Sequence, residues 1–306
     1  MSRASLAIGL VAALALAACG SLKSIPGAGA AGDYLQQKTV ESATKVGENV
    51  VTAAVTGEFD KSASFSMEQE FYLGKTIAAT VVGRLGARAL PPDHPTARYL
   101  RDVGTVLALA AAEQRAPDDR PYPLKGYRFI VVEAPQVNAV GMPGGFVAVT
   151  TGALRAVQSE DELASIMAHE IAHVQRGHVL WPVERAREQE HMTSTLLAGT
   201  DDVVHVFFGK VVTLGADFVL DKGYGKSNEL AADAFAARIL EGAGYDPQAL
   251  GRVLSRLQGK AAQGGFFSRH PPAADRAAAL GPAPGLAAAP PAGRTARFQA
   301  RMRALD

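Results

Sequence analysis

The sequence predicts an α+β fold, mostly helical, with a small β-sheet whose edge strand flanks one chemistry-bearing helix. Three observations carry this expectation. Long stretches repeat apolar residues at helical spacing, and only two short runs are dense in β-branched and aromatic residues. The cap pair Ser159 and Glu162 opens a helix that contains His169-Glu170-Ile171-Ala172-His173.

The first elements read in order as follows. Arg3 precedes an apolar stretch from Leu6 to Ala18, too short to cross a bilayer comfortably and apt for a signal peptide over 1–18. It runs into Leu16-Ala17-Ala18-Cys19, which resembles the lipid-attachment signal of bacterial lipoproteins. That resemblance implies lipidation of Cys19, and Gly20, in place of aspartate, implies the outer membrane seen from the periplasm. An ordinary secretory signal is the alternative. Residues 19–64, rich in Gly, Ala, Ser and Thr, read as a tether with a weak helix.

A domain is expected over 65–281. Ser66 caps a first helix, which Pro91-Pro92-Asp93 breaks, and Thr96 to Ala112 places Tyr99, Leu100, Val103, Val106, Leu107 and Ala110 on one helical side. Residues 117–123 form a loop. Tyr127 to Val132 is the clearest strand, and Gly145 to Thr150 is a second, entered through the turn at Met142-Pro143-Gly144. The helix opened by Ser159 is expected to end near 180, ahead of Pro182. Residues 184–220 read mostly as helix; their apolar part is interrupted by His205, Lys210 and Asp217, which argues against a membrane span. A further helix over Asn228 to Leu240 is stopped by Gly242 and Gly244. Residues 282–306 form an Ala/Pro-rich tail with a short basic helix around Thr295 to Leu305.

Charge and cysteine content exclude some classes. The 31 basic residues nearly match the 30 acidic ones, for a net charge of +1, so a nucleic-acid partner is not expected. A single cysteine permits no internal disulfide, leaving the core or a metal to hold the fold.

The pentapeptide at 169–173 carries the chemistry. Helical residues four apart lie only about 40° apart around the axis, so His169 and His173 project from one face and can grip one metal ion. Glu170 stands beside that ion without being needed as a ligand, free to take the proton of a water held there. Ala168, Ile171, Ala172 and Val174 embed the pair in an apolar helix, where two buried imidazoles without a partner would be costly.

A catalytic zinc site takes a third protein ligand. His178 lies about 180° around from His169 if the helix continues, and so faces away. His191 and His205 sit in no partner motif, and a metzincin would need glycine and histidine where this chain has Arg176 and Val179. Glu229 is the better candidate. With Asp233 it forms a second i, i+4 pair, so that Glu229 ligates while Asp233 accepts the remaining N–H of a ligating histidine.

These two pairs, some fifty residues apart, resemble the gluzincin zinc metallopeptidases. The match is closer to the HtpX/BepA/Oma-like family, which includes the CAAX prenyl proteases. Val137-Asn138-Ala139 ahead of Pro143-Gly144-Gly145-Phe146-Val147, then Thr151-Gly152-Ala153-Leu154, resembles a further family segment, and His270-Pro271-Pro272 with Arg276 resembles its C-terminal element near the metal. The spanning helices and the helical-repeat domain of some members have no counterpart here.

The resemblance implies a zincin-type metalloprotease domain holding one Zn2+ per chain through His169, His173 and Glu229, with Glu170 as base. His270 would be catalytic as an oxyanion donor, or else a metal ligand that keeps the enzyme latent. Arg276 would anchor its loop through a carboxylate. Gly145, Phe146, Val147 and Ala148 would offer an edge along which an extended peptide binds. Implied partners are unfolded or misassembled envelope proteins or peptides, and a membrane reached through a lipid on Cys19. Two rivals stand beside this reading. One is a non-catalytic zinc-containing chaperone or scaffold, against which Glu170 argues; the other is an intramembrane prenyl-protein protease, disfavoured by the lack of spanning segments.

Overall fold

Residues 65–85, 88–181, 184, 211–257, 276 and 291–305 are described in the computed structural model, and among them ten named elements include one fully buried helix. In chain order they are α1 (Met67–Arg84), α2 (Pro95–Glu113), β1 (Arg128–Val132), β2 (Ala139–Met142), β3 (Phe146–Thr150), α3 (Thr151–Ala156), α4 (Glu160–Gln175), α5 (Lys226–Gly242), α6 (Ala249–Leu257) and α7 (Ala292–Met302). Residues 211–217 are also helical and pass into π-helical Phe218–Lys222. The fold is mostly helical with a small mixed sheet, as expected. Cys19, the tether, His191, His205 and His270 lie outside the described residues.

Local signals explain the starts and stops. Ser66 and Gln69 exchange both bonds of a capping box at the head of α1. At α4, Ser159 Oγ accepts the N–H of Glu162 at 3.2 Å, but the Glu162 carboxylate reaches one residue further back, to the N–H of Gln158 at 2.7 Å. α4 ends at Gln175, earlier than Pro182 suggested.

The sheet order is β1-β3-β2, with β1 parallel and β2 antiparallel to β3. This corrects one expectation. Residues 146–150 form the central strand, paired on both sides and buried throughout, so Gly145, Phe146, Val147 and Ala148 present no open ladder to a peptide. The edge beside α4 is β2, whose four residues include only one β-branched side chain.

Alternation along β3 divides the core. Val147 and Val149 join a cluster with α2, α4, α5 and α6, whereas Phe146 and Ala148 join α1 and the 211–219 segment. The turn Pro143–Gly145 between β2 and β3 is fastened to α1. Gly144, at φ 69°, donates to Glu70 Oε1 at 3.0 Å, and a Cβ at Gly74 would stand 1.8 Å from the Pro143 carbonyl oxygen. Only glycine fits at 74.

Every residue of α4 is buried, against α5, α2, β2 and α6. Its acidic first turn is therefore fully partnered. Glu160 accepts from Tyr99 at 2.8 Å, Tyr245 at 2.9 Å and Arg297; Asp161 accepts from Arg294 at 2.8 Å; Glu162 accepts from Arg256 at 2.6 Å. Arg294 and Arg297 come from α7, whose Phe298 is buried in the larger core cluster, so the basic tail helix packs directly on α2 and α4. The acid side chains also suit the positive end of the α4 dipole.

Candidate metal centre

Two helices deliver the site. α4 presents His169, Glu170 and His173 from consecutive turns, and α5 packs across it with Glu229 in its first turn and Asp233 one turn on. Gly225, at φ 81°, precedes α5 and supplies the left-handed backbone from which the helix starts.

The three proposed ligands converge. The Nε2 atoms of His169 and His173 are 3.0 Å apart, and Glu229 oxygens lie 3.4 Å from the first and 3.7 Å from the second. Donors around a tetrahedral zinc ion at about 2.0–2.1 Å stand roughly 3.3–3.4 Å from each other. The group has that size, and all three side chains are fully buried.

Charge points the same way. Glu170, Glu229 and Asp233 are buried carboxylates, and among the described residues the buried Arg276 guanidinium pairs with Asp233 and Glu229. Three buried carboxylates beside two imidazoles make a donor set that suits a divalent cation. The residues present therefore fit a zinc ion.

Asp233 and Arg276 organise the surroundings. Asp233 Oδ1 lies 2.9 Å from Nδ1 of His169, so it accepts that N–H and leaves Nε2 for a metal. Arg276 grips Asp233 through two bonds of 2.8 and 2.6 Å and brings a third nitrogen to 3.8 Å from Glu229. Burial opposes the charge on Asp233, but Arg276 and His169 outweigh it and bring the carboxyl down to about 2. At His169, burial and Arg276 push the imidazole down, yet Asp233 and Glu229 prevail and hold it up at about 9. The carboxylates that favour a positive charge here would favour a metal cation on the same electrostatic ground, the metal displacing the proton from His169.

Glu170 is set by the sheet edge, its Oε2 accepting the Gly141 N–H at 2.6 Å. Gly141 itself was not legible as a site residue.

His178 is a correction. Gly177, at φ 73°, ends α4 and turns the chain back, with Gly177 N–H donating to Val174 and His178 N–H to His173, both at 3.0 Å. The His178 ring consequently meets His173, Nδ1 to Nδ1 at 3.0 Å, and does not face away. Burial holds its imidazole down at about 4; Glu229 opposes the shift and Arg176 adds to it. The glycine at 177 was the available signal, since a left-handed residue there stops the helix. Tyr224 escaped the sequence reading too; its ring stacks on His173 with centroids 4.0 Å apart.

Comparison with known proteins agrees with this geometry. The model of peptidase family M48 matches residues 97–282. The chain is 27% identical over 217 residues to a beta-barrel assembly-enhancing protease of Yersinia pestis, covering 68% of this chain and 41% of that one. It is 28% identical over 210 residues to mitochondrial metalloendopeptidase OMA1 of Schizosaccharomyces pombe, covering 67% and 58%. Against a protease HtpX homolog of Janthinobacterium sp. it is 30% identical over 172 residues, covering 44% and 57%. Thus the chain spans less than half the length of the beta-barrel assembly-enhancing proteases it matches. Among the described residues no helix is long and apolar enough to cross a membrane. With its buried His169, His173 and Glu229 group inside the matched region, the chain belongs to peptidase family M48.

Proposed function

We propose that this protein is a zinc-dependent endopeptidase acting on proteins of the bacterial envelope. The observation that carries the reading is the buried meeting of His169, His173 and Glu229 beside an intact Glu170. His169, His173 and Glu229 would hold one zinc ion. Zinc, when bound, supplies a Lewis acid that polarises water and the scissile carbonyl. Glu170 takes the proton of the attacking water and delivers it to the leaving amine. Gly141 orients that carboxylate through its N–H, and Asp233 and Arg276 keep His169 in the ligating tautomer.

The substrate chain approaches Glu170 from the β2 side of the sheet, the edge next to that carboxylate. Misassembled envelope proteins suit such a site, and the names of the bacterial relatives support that class. The signal-like segment ending at Cys19 supports a lipid anchor and a periplasmic setting at the outer membrane. Cys19→Ala is expected to release the protein from the membrane fraction. The His-Pro element at His270 is assigned to oxyanion stabilisation or to latency on its motif alone.

The decisive test is Glu170→Gln. Cleavage of an unfolded protein such as casein should fall by roughly two to four orders of magnitude while zinc content stays at the wild-type level. Undiminished cleavage by that variant, or its full activity in cells, would instead favour the scaffold reading.

A further inference from the structure

The last turn of α4 gives each nitrogen of His173 a separate partner. Nε2 faces Nε2 of His169 at 3.0 Å and Glu229 at 3.7 Å, toward the ligand group. Nδ1 faces the opposite way, 3.0 Å from Nδ1 of His178. The ring plane is also held, because Tyr224 stacks on it with an interplanar angle of 24°. His178 reaches this position only because Gly177 closes the helix in the left-handed region and reverses the chain.

The chemistry then assigns the protons. An imidazole that gives its Nε2 lone pair to a cation carries its remaining proton on Nδ1. Two facing Nδ1 atoms make one bond only if one donates and the other accepts. We propose that His178 is a positioning residue for His173: its Nδ1 accepts the His173 Nδ1–H, fixing the tautomer and ring direction that present Nε2 to the metal. His178 then keeps its own proton on Nε2. Asp233 performs the equivalent task for His169 with a carboxylate. The two histidine ligands are thus supported unequally, His169 by an anion and His173 by a neutral ring.

This inference rests on the metallopeptidase reading, and its test separates the two. Zinc affinity is measured by chelator competition on the full chain for wild type, His178→Phe and His178→Asn. Phenylalanine keeps a ring and removes the acceptor, whereas asparagine places an amide oxygen near the original Nδ1. The phenylalanine variant should bind zinc about 10–100-fold more weakly, and the asparagine variant close to wild type. Nitrogen-edited NMR of the zinc-loaded proteins should show a hydrogen-bonded His173 Nδ1–H in wild type and the asparagine variant, and lose it with phenylalanine.

A folded His178→Phe protein that binds zinc like wild type overturns the proposal and leaves the metallopeptidase reading intact. If the phenylalanine variant does not fold, the asparagine variant decides: wild-type affinity supports the role, and a tenfold or deeper loss overturns it. A wild-type chain that takes up no zinc overturns both.

Discussion

The backbone N–H of Gly141 donates to the Glu170 carboxylate at 2.6 Å, so the sheet edge and the base of the site are tied by one bond. A Cβ at 141 would stand 2.7 Å from the Glu170 carbonyl oxygen and 3.1 Å from Val174. Gly141→Ala therefore has to push β2 away from α4. The turnover rate should drop by roughly 100-fold, the scale of a 1 Å misplacement at a reacting centre. Zinc content should not change, because no ligand is touched; parallel rate and metal measurements check this.

Arg276 neutralises part of a buried acidic cluster, and its removal exposes the imbalance. Arg276→Met leaves Asp233 buried without its two-pronged partner. Loss of one member of a buried ion pair costs about 3–5 kcal/mol. Urea unfolding of the metal-free proteins should show a fall of that order; a fall below about 1 kcal/mol would mean the pair is dispensable.

The acidic first turn of α4 predicts a pH-dependent contribution. Burial opposes the charge on Glu160, but Arg297, Tyr99 and Tyr245 prevail and lower its carboxyl below the usual value. A carboxyl lowered by folding adds stability that is complete above its unfolded value, about 4.3, and disappears as pH falls through the lowered folded value. Arg297→Gln should thus cost about 1–2 kcal/mol at pH 7, a figure already reduced because the guanidinium is half exposed. The difference from wild type should shrink below about pH 4. Melting curves across pH 3–7 measure it.

Gly177 occupies a backbone region that costs an ordinary L-residue about 1 kcal/mol or more. Gly177→Ala should lose about that much stability, with added crowding from Arg120, whose Cγ would lie 3.2 Å from the new Cβ. Gly177→Asn should lose less, since asparagine tolerates this conformation better. Equal melting temperatures for both variants would contradict the geometry.

Sequence alone exposed the parts of the site that are periodic. His169 with His173, and Glu229 with Asp233, are each one helical turn apart, and a helix fixes such pairs without help from the rest of the chain. Partners fixed by chain reversal or by sheet order were less visible. His178 depends on where α4 stops, and Gly177 overrules a periodicity that would have carried the ring to the far side. Ala139–Met142 is short and poor in β-branched residues, so only its pairing with β3 reveals it as the edge. Asp161 likewise meets Arg294 across more than a hundred residues, a distance no local pattern spans.

The fastening of the Pro143–Gly145 turn to α1 has a consequence for cleavage. Gly74 admits no slack against Pro143, and Glu70 holds Gly144 while also gripping Arg120 at 2.6 Å. One end of β2 is thus fixed to α1 through this turn, and Gly141 ties the strand to Glu170. Under the proposed endopeptidase reading, a chain passing Glu170 would meet a fixed stop on this side, so that the cut would be placed by distance from it, as on a caliper.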